Sequence, residues 1–177
     1  IWMIDGDDFL PEETVPKVLL FLKEREVDIF AVNYNVVDEN GLHISAGHDQ
    51  IKYTGYYAPT EFYEKVYKYC YTWQFIVRRS LMVVNDIRFV TGINIQDSEI
   101  LPRIIFRAET VYYINLTAYC YVQHNASFTN TSNFSKRFHY FKSIVIVHEI
   151  LGDYAREIKC SDSRLASAIE RKRYILH

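Results

Sequence analysis

Three aspartates near the start of the chain are the residues whose spacing most clearly indicates chemistry. Asp5, Asp7 and Asp8 fall within four positions and directly follow the apolar residues 1–4. Like charges this close repel one another, so a fold tolerates them best when a cation, hydrogen-bond donors or water neutralises them. Mg²⁺ and Mn²⁺ prefer oxygen ligands and complete their shells with water and substrate phosphates. The cluster therefore predicts a divalent-cation site, with an ordinary acidic helix N-terminus as the alternative.

A second acidic candidate lies far along the chain, at the start of a predicted helix. Asp97 follows Thr-Gly-Ile-Asn-Ile-Gln at residues 91–96 and precedes apolar residues at helical spacing. A carboxylate in this position ordinarily caps the helix. It acts as a general base if it projects instead from the loop toward a substrate hydroxyl. Position alone favours capping, and both alternatives stay open.

Weaker candidates have commoner structural explanations. His124 follows a predicted aromatic strand and is a candidate metal ligand, although a lone histidine is more often a hydrogen-bonded or surface residue. Trp73 is a candidate for stacking on an acceptor sugar, with a place in the core as the commoner alternative. Arg78 and Arg79 are phosphate-binding candidates unless they are simply solvated beside a helix start.

Composition limits the class of protein. The 177 residues are 49% hydrophobic and 24% charged, which is typical of one globular domain with its own core. The net charge of −2 gives no general attraction to nucleic acid, which we therefore do not expect as a partner. Cys70, Cys120 and Cys160 are far apart and odd in number, which predicts reduced thiols rather than a disulfide framework. No Cys/His spacing of a zinc site and no bilayer-spanning apolar run is present.

The elements that position these residues alternate between strands and helices, as in α/β folds. Residues 1–4 predict a buried strand, and a helix is expected from Pro11 with Asp8 as its candidate cap. Residues 30–36 predict a half-buried strand, followed by an Asn40-Gly41 turn. Further predicted elements are a return strand at 43–46, a helix at 59–69, an extended segment at 73–77, a short helix after it, a helix from Asp97, and strands at 111–114 and 118–122.

The last part of the chain differs in character. Residues 125–135 are rich in Asn, Ser and Thr, which predicts a mobile loop that we interpret as a lid over an acceptor site. From Phe138 onward the pattern is helical and breaks at residues 161–163 into a long helix and a shorter basic one. This mixed basic and apolar composition is compatible with peripheral membrane contact, but a solvated helical face is favoured.

Taken in order, several motifs resemble the inverting family 2 glycosyltransferases, which have the GT-A fold. Ile-Asp-Gly-Asp-Asp-Phe-Leu at residues 4–10 resembles the strand and DxD motif of that family. Trp73 and the stretch after it resemble a family segment that leads into a helix. The segment 87–99, which ends in Gln-Asp-Ser-Glu, resembles the loop that leads into the Glu-Asp motif. Residues 119–127 resemble a later aromatic strand with a trailing serine.

The resemblance implies a partial GT-A fold over residues 1–133, with a mixed sheet flanked by helices, and a helical extension over residues 134–177. It also implies transfer of a sugar from a nucleotide-diphosphate sugar to a glycan or lipid-linked acceptor, with inversion. The expected location is the cytoplasm, at the inner face of the membrane.

The resemblance also implies roles for single residues. Asp5 and Asp7, with His124 as a weaker ligand, would hold a Mn²⁺ or Mg²⁺ ion that bridges the donor diphosphate. Asp8 would support the site or contact the donor sugar. Asp97 would be the general base. The weak acceptor contacts would be Trp73 and Gln96.

The sequence departs from the family pattern in two ways, and a second class of protein is a possible alternative to the enzyme. Gln96 replaces the first carboxylate of the Glu-Asp pair. The nucleotide-base-binding strand, loop and helix of the family are missing upstream of the DxD strand, so we expect the chain alone to bind nucleotide sugar poorly. The alternative is a non-catalytic α/β binding module with a structural acidic cluster. Convergence of Asp5 and Asp7 with Asp97 in one cleft would favour the enzyme.

Overall fold

A five-stranded mixed sheet forms the centre of the fold in the computed structural model, which describes residues 1–47, 53–66, 71–124 and 133–175. The strands are β1 (Ile29–Val37), β2 (His43–Ala46), β3 (Gly55–Tyr57), β4 (Phe75–Val77) and β5 (Val111–Val122). The α-helices are α1 (Thr14–Glu24), α2 (Pro59–Glu61), α3 (Arg79–Val84), α4 (Gln96–Arg107), α5 (Phe134–Ile158) and α6 (Ser163–Lys172). A π-helical turn, Phe62–Val66, follows α2, and 3₁₀ turns lie at Thr72–Gln74 and Arg173–Ile175.

The two long strands, β1 and β5, run parallel and form the axis of the sheet. β5 pairs with one edge of β1, while β2 and β4 pair antiparallel with opposite ends of its other edge. β3 pairs antiparallel with β5. The carboxyl ends of β1 and β5 therefore meet at one side of the sheet, where ligands bind in open α/β folds.

Both faces of the sheet are covered by helices, so the fold has three layers. On one face Val18 of α1 packs against Phe30 and Val32 of β1. On the other face α4, α5 and α6 pack against alternate residues of the strands, among them Ile29 and Val111. The predicted α/β fold with a mixed sheet flanked by helices is confirmed.

The central strand β1 is more deeply buried than its alternating pattern predicts. Eight of its nine residues are buried, including Asn33, whose side-chain amide donates to Asn115 Oδ1 at 2.6 Å. Polar and small residues are enclosed because a strand covered on both faces has no solvent side. β5 is likewise one continuous strand rather than two, since residues 115–117 bridge the predicted halves across a shift in register with β1.

The first residues of the chain do not form the predicted buried strand. Trp2 makes a single bridge to Ile76 beside β4, while Ile1 and Ile4 are exposed. The predicted helix from Pro11 begins only at Thr14, because Glu13 adopts a left-handed φ of 61°. Asp8 is not its cap, since the carboxylate bonds to β5 instead.

Other local predictions hold within the described residues. The hairpin between β1 and β2 turns at residues 38–42, and Gly41 has a φ of 79°, which favours glycine. The helix predicted at 59–69 is found as α2 and the π-helical turn, and residues 67–69 lie outside the described residues. Most of the predicted lid, residues 125–132, also lies outside them. Residues 134 and 135 of the predicted lid belong instead to α5, which begins four residues earlier than predicted because the Asn133 side chain caps it by accepting from Lys136 N.

The C-terminal helices share the main core of the domain. Val147 and Leu151 of α5 and Leu165 of α6 are buried in the same cluster as Ile100 and Ile104 of α4. Asp162 caps α6 at the predicted break, since its side chain accepts from Leu165 N at 2.8 Å. The helices therefore support the sheet layer that carries the candidate site.

Candidate active site

The aspartate cluster forms a turn fixed against the carboxyl-end half of β5. Asp8 N donates to Asp5 O at 3.2 Å, which closes the turn. Phe9 and Cys120 exchange two backbone hydrogen bonds, so the residue after the cluster is tied to the strand. Asp5 and Asp7 are exposed on this turn, and Asp8 is half-buried.

Asp8 points inward and fixes the turn. One carboxylate oxygen accepts from Val122 N at 2.8 Å, and the other accepts from the Tyr119 hydroxyl at 2.6 Å. That hydroxyl in turn accepts from Asp5 N at 3.1 Å. Burial raises the pKa of Asp8, and the bonds from Tyr119 and Val122 oppose that rise. Because both oxygens are engaged, the structure fits the predicted supporting role of Asp8 better than direct contact with a donor sugar.

Asp97 lies in the first turn of α4 but does not cap it. The N-cap is Ile95, which has a strained left-handed φ of 53° for a β-branched residue. Asp97 Oδ1 instead accepts from Thr72 Oγ1 at 2.5 Å and from Thr72 N at 3.1 Å. Burial raises the pKa of Asp97, while these two hydrogen bonds oppose the rise. Among the described residues, no donor to Oδ2 is found.

The two acidic segments converge, although they are far apart in sequence. Although Asp5 is exposed as a residue, partial desolvation of its carboxyl raises the pKa, and the charges of Asp97 and Asp7 raise it further. A charge acts on a neighbouring carboxyl in this way only over short distances. The Asp5–Asp8 turn and the start of α4 therefore lie close together, and their joint role as one site stays a prediction.

An aromatic cluster joins the two halves of this site. The Trp73 ring stacks on Tyr119 with centroids 4.3 Å apart, and on Tyr71 at 4.8 Å. Trp73 follows Thr72, which holds Asp97, and stacks on Tyr119, which holds Asp8. The ring is only 3% exposed. The predicted stacking of Trp73 on an acceptor sugar is not supported, because the ring is enclosed by other aromatic side chains.

The proposed metal ligands are only partly assembled. His124 Nε2 lies 3.6 Å from Asp7 Oδ2, and His124 Nδ1 lies 3.3 Å from Glu39 Oε1. Within the described part of the chain, no group of three or more His, Cys, Asp or Glu side chains is arranged to hold a metal ion. A Mg²⁺ or Mn²⁺ ion bound mainly by phosphate oxygens and water would require only one or two carboxylates from the protein. Metal binding at Asp5 and Asp7 stays a prediction.

The remaining candidates differ in their distance from the site. Gln96 precedes Asp97, and its amide donates to Val90 O at 3.0 Å, so it fixes the loop before α4. Its acceptor contact stays a prediction. Arg78 is ion-paired with Asp28 and bonds to Val27 O, at the amino end of β1. It is therefore at the opposite end of the sheet and is no candidate for substrate phosphate at this site.

Sequence reasoning missed Thr72 and the role of Tyr119. Thr72 is buried and lies 25 residues before its partner Asp97. Tyr119 lies 111 residues after Asp8. Neither residue type is unusual in its local sequence, and only the pairing of distant segments reveals these contacts.

These features define the class of fold. A mixed sheet flanked by helices, with an acidic site beside the carboxyl ends of its parallel strands, makes this a glycosyltransferase-like α/β domain. The fold is shared with S. aureus TarS, a glycosyltransferase. The chain superposes on TarS 1-349 in complex with UDP-GlcNAc with a TM-score of 0.67 and 18% identity. The superposition covers 89% of this chain and 42% of the TarS chain.

Two further TarS structures give similar values. TarS 1-349 in complex with UDP gives a TM-score of 0.62, with 17% identity over 89% of this chain and 40% of that one. A longer TarS structure gives 0.62 and 17%, and the chain covers 24% of its length. The chain thus spans less than half of the structures it resembles. No protein-family model matches it, and no curated protein is detectably similar.

Proposed function

We propose that this protein is part of an inverting, metal-dependent glycosyltransferase of family 2 with the GT-A fold. It transfers a sugar from a nucleotide-diphosphate sugar to a hydroxyl of a glycan or a lipid-linked acceptor. Two kinds of support exist: the fold is shared with TarS, which has been solved with UDP-GlcNAc and with UDP, and the acidic residues expected for such a transfer converge at one site.

The convergence of Asp5 and Asp97 is the observation that carries this proposal. Sugar transfer with inversion needs a base on one face of the sugar and stabilisation of the leaving nucleotide on the other. Asp97 and the Asp5–Asp8 turn are far apart in sequence, yet the charge of Asp97 raises the pKa of Asp5. Trp73, next to the Thr72 that holds Asp97, also stacks on the Tyr119 that holds Asp8. A binding module whose acidic cluster was only a helix cap would need neither the engagement of Asp97 by Thr72 nor this proximity.

Asp97 is the proposed general base. Its Oδ1 is held by Thr72, and its Oδ2 is the oxygen that accepts the proton of the acceptor hydroxyl. The deprotonated acceptor oxygen then forms a bond to the anomeric carbon, while the bond from that carbon to the phosphate oxygen breaks and the nucleoside diphosphate leaves. Burial suits this role because it raises the pKa of Asp97 toward the working pH of a general base.

Asp5 and Asp7 are the proposed residues for a Mn²⁺ or Mg²⁺ ion, with His124 beside Asp7 as a weaker third ligand. A divalent cation at such a site supplies electrostatic stabilisation of charge on the leaving diphosphate. Asp8 and Tyr119 keep the turn in place through Asp5 N and both oxygens of Asp8.

The cellular setting is also a proposal. We place the protein in the cytoplasm, with peripheral contact to the inner face of the membrane where lipid-linked acceptors lie. Among the described helices, none has both the length and the apolar character needed to cross a bilayer.

The test is the variant Asp97→Asn in the full-length protein. We expect turnover of nucleotide sugar to fall by about two to four orders of magnitude, because the base is lost. Donor binding, measured by calorimetry, should be largely retained, because Asn keeps the Oδ1 acceptor for Thr72. Asp153→Asn, at an exposed position on α5, is the matched control and should leave turnover unchanged. Equal loss of donor binding and turnover in Asp97→Asn would contradict the assignment of a base.

A further inference from the structure

The first turns of α5 carry an exposed row of apolar side chains. Phe134, Phe138, Phe141 and Val145 are between 56% and 82% exposed. Their spacing of four, three and four residues places them on one face of the helix. We name these four residues the α5 stripe. Aromatic and branched side chains gathered on one exposed helix face mark an interaction surface rather than a random scatter of apolar residues.

The α5 stripe lies opposite the side by which the helix joins the domain. Ser143 and Val147 are buried on that other side. The Ser143 hydroxyl accepts from Asn94 N at 2.9 Å, in the loop that leads to Asp97. The stripe therefore faces outward, and packing of α5 on the domain leaves it uncovered.

Most of the charges around the α5 stripe are basic. Residues 134–148 contain Lys136, Arg137 and Lys142, and the nearest acidic residue in sequence is Glu149, which is exposed one turn after Val145. On an ideal helix Arg137 and Lys142 lie about 70° to either side of the centre of the stripe. An apolar row with basic residues on both flanks matches the surface of an anionic bilayer, where apolar side chains enter the acyl boundary and basic ones meet lipid phosphates.

The exposed apolar residues of α1 show that this charge pattern is specific to α5. Leu19 and Leu20 are 51% and 58% exposed, which is similar to the exposure of the stripe. Their helix mixes Lys17 and Lys23 with Glu24, and Lys17 pairs with Glu13 at 3.2 Å. A surface of balanced charge has no electrostatic attraction to anionic lipid. Apolar exposure alone therefore does not identify the membrane-facing side, whereas its combination with predominantly basic charge does.

We propose that the α5 stripe docks this protein on the surface of an anionic phospholipid bilayer, with α5 lying in the plane of the interface. Phe138 and Phe141 enter the acyl boundary, and Arg137 and Lys142 contact lipid phosphates on either side. The proposal assigns a surface to the peripheral membrane contact proposed above, and it does not depend on sugar transfer. Where sugar transfer also holds, the Asn94–Ser143 contact places the loop before Asp97 on the helix that touches the membrane.

The test is co-sedimentation of the purified chain with vesicles of phosphatidylcholine, with and without phosphatidylglycerol. We expect binding to the anionic vesicles that weakens as salt is added. Phe138→Ser/Phe141→Ser should reduce the partition coefficient by about tenfold or more. Arg137→Glu/Lys142→Glu should reduce it by a similar factor. All four positions are exposed, and circular dichroism should show an unchanged fold.

Two matched variants on α1 serve as controls. Leu19→Ser/Leu20→Ser removes a similar apolar exposure, and Lys17→Glu/Lys23→Glu makes the same change in net charge. Both should bind anionic vesicles like the wild type. The proposal is overturned if the wild type does not bind anionic vesicles, or if the α1 and α5 variants lose binding equally. It is also overturned if light scattering shows a dimer that Phe138→Ser/Phe141→Ser dissociates, because the stripe would then join two copies of the chain.

Discussion

At the scale of single residues, the contact between Thr72 and Asp97 decides how the proposed base behaves. Burial favours the neutral carboxylic acid, whereas the Thr72 hydroxyl and amide favour the charged carboxylate by donating to Oδ1. The first effect is the larger, so the pKa of Asp97 is raised overall. A raised pKa makes the ionised carboxylate a better proton acceptor than that of an exposed aspartate.

Thr72→Val should therefore change the pH dependence of turnover in the full-length protein. The variant removes one donor to the carboxylate and keeps a side chain of similar shape, so the pKa of Asp97 should rise further. Because the base acts in its ionised form, the acid limb of the kcat profile should move to higher pH, with little change on the alkaline plateau. Thr72→Ser keeps the hydroxyl and should restore the original limb. An acid limb that stays in place in Thr72→Val would show that Thr72 does not position the base.

At the scale of elements, α6 is held in place by one aspartate that acts in two directions. Asp162 Oδ1 accepts from Leu165 N at 2.8 Å, as an N-cap, and Oδ2 accepts from Thr60 Oγ1 at 2.7 Å in α2. Glu64 forms ion pairs with Arg164 and Arg171 of α6, and these pairs lower the pKa of Glu64. The break that the sequence predicts at residues 161–163 is thus also the point where α6 is attached to α2.

Asp162→Ala should destabilise the protein by about 1–2 kcal/mol, because it removes the cap of α6 together with the bond to Thr60. Asp162→Asn retains a capping oxygen and should lose less. The free energy of unfolding in urea measures both effects. Asp153→Ala removes an exposed aspartate from the neighbouring helix and should change stability little. If the two alanine variants were equally stable, the capping geometry would contribute nothing.

What the sequence predicts correctly is local, and what it predicts wrongly depends on distant partners. The β1–β2 hairpin, the return strand at 43–46 and the start of α6 are specified by turn and cap residues beside them in the chain. Contacts with β4 and β5 determine three features that the sequence predicts wrongly. These are the exposed start of the chain, the bonding of Asp8 to β5 instead of to the start of α1, and the burial of Trp73. Periodicity could not distinguish the fully buried β1 from a half-buried strand, because Asn33 is polar and yet enclosed.

The candidate site was predicted from motif order and not from geometry. The order of residues 4–10, Trp73 and Asp97 predicts one acidic site, and the charge of Asp97 does raise the pKa of Asp5. No local pattern indicated Thr72 or the Tyr119 hydroxyl as the groups that hold Asp97 and Asp8. These contacts join segments that meet only when β1 and β5 pair, so they follow from the topology of the sheet.

At the scale of the whole molecule, the helical extension and the sheet share a core rather than forming two bodies. Leu151 and Ile158 of α5 are buried in the same cluster as Ile29 and Phe75 of the strands. Residues 1–133 alone could not supply a superposition over 89% of the chain, so the fold shared with TarS includes part of the extension. The division at residue 133 stays a prediction about sequence organisation, and the packing links the stability of the two parts.

Leu151→Ala tests that link, since a cavity in α5 should weaken the sheet as well. We expect a loss of about 2–5 kcal/mol in the free energy of unfolding, because the side chain is buried among helices and strands. Trp2 and Trp73 both pack against the sheet, so tryptophan fluorescence reports on the strands, while far-ultraviolet circular dichroism is dominated by the helices. In wild type and variant, the two signals should change at the same urea concentration, as in a two-state transition.

Val145→Ala, on the exposed side of the same helix, is the control and should leave the midpoint nearly unchanged. A circular dichroism transition that precedes the fluorescence transition in Leu151→Ala would mean that the helices unfold separately and that the core is not shared in its energetics.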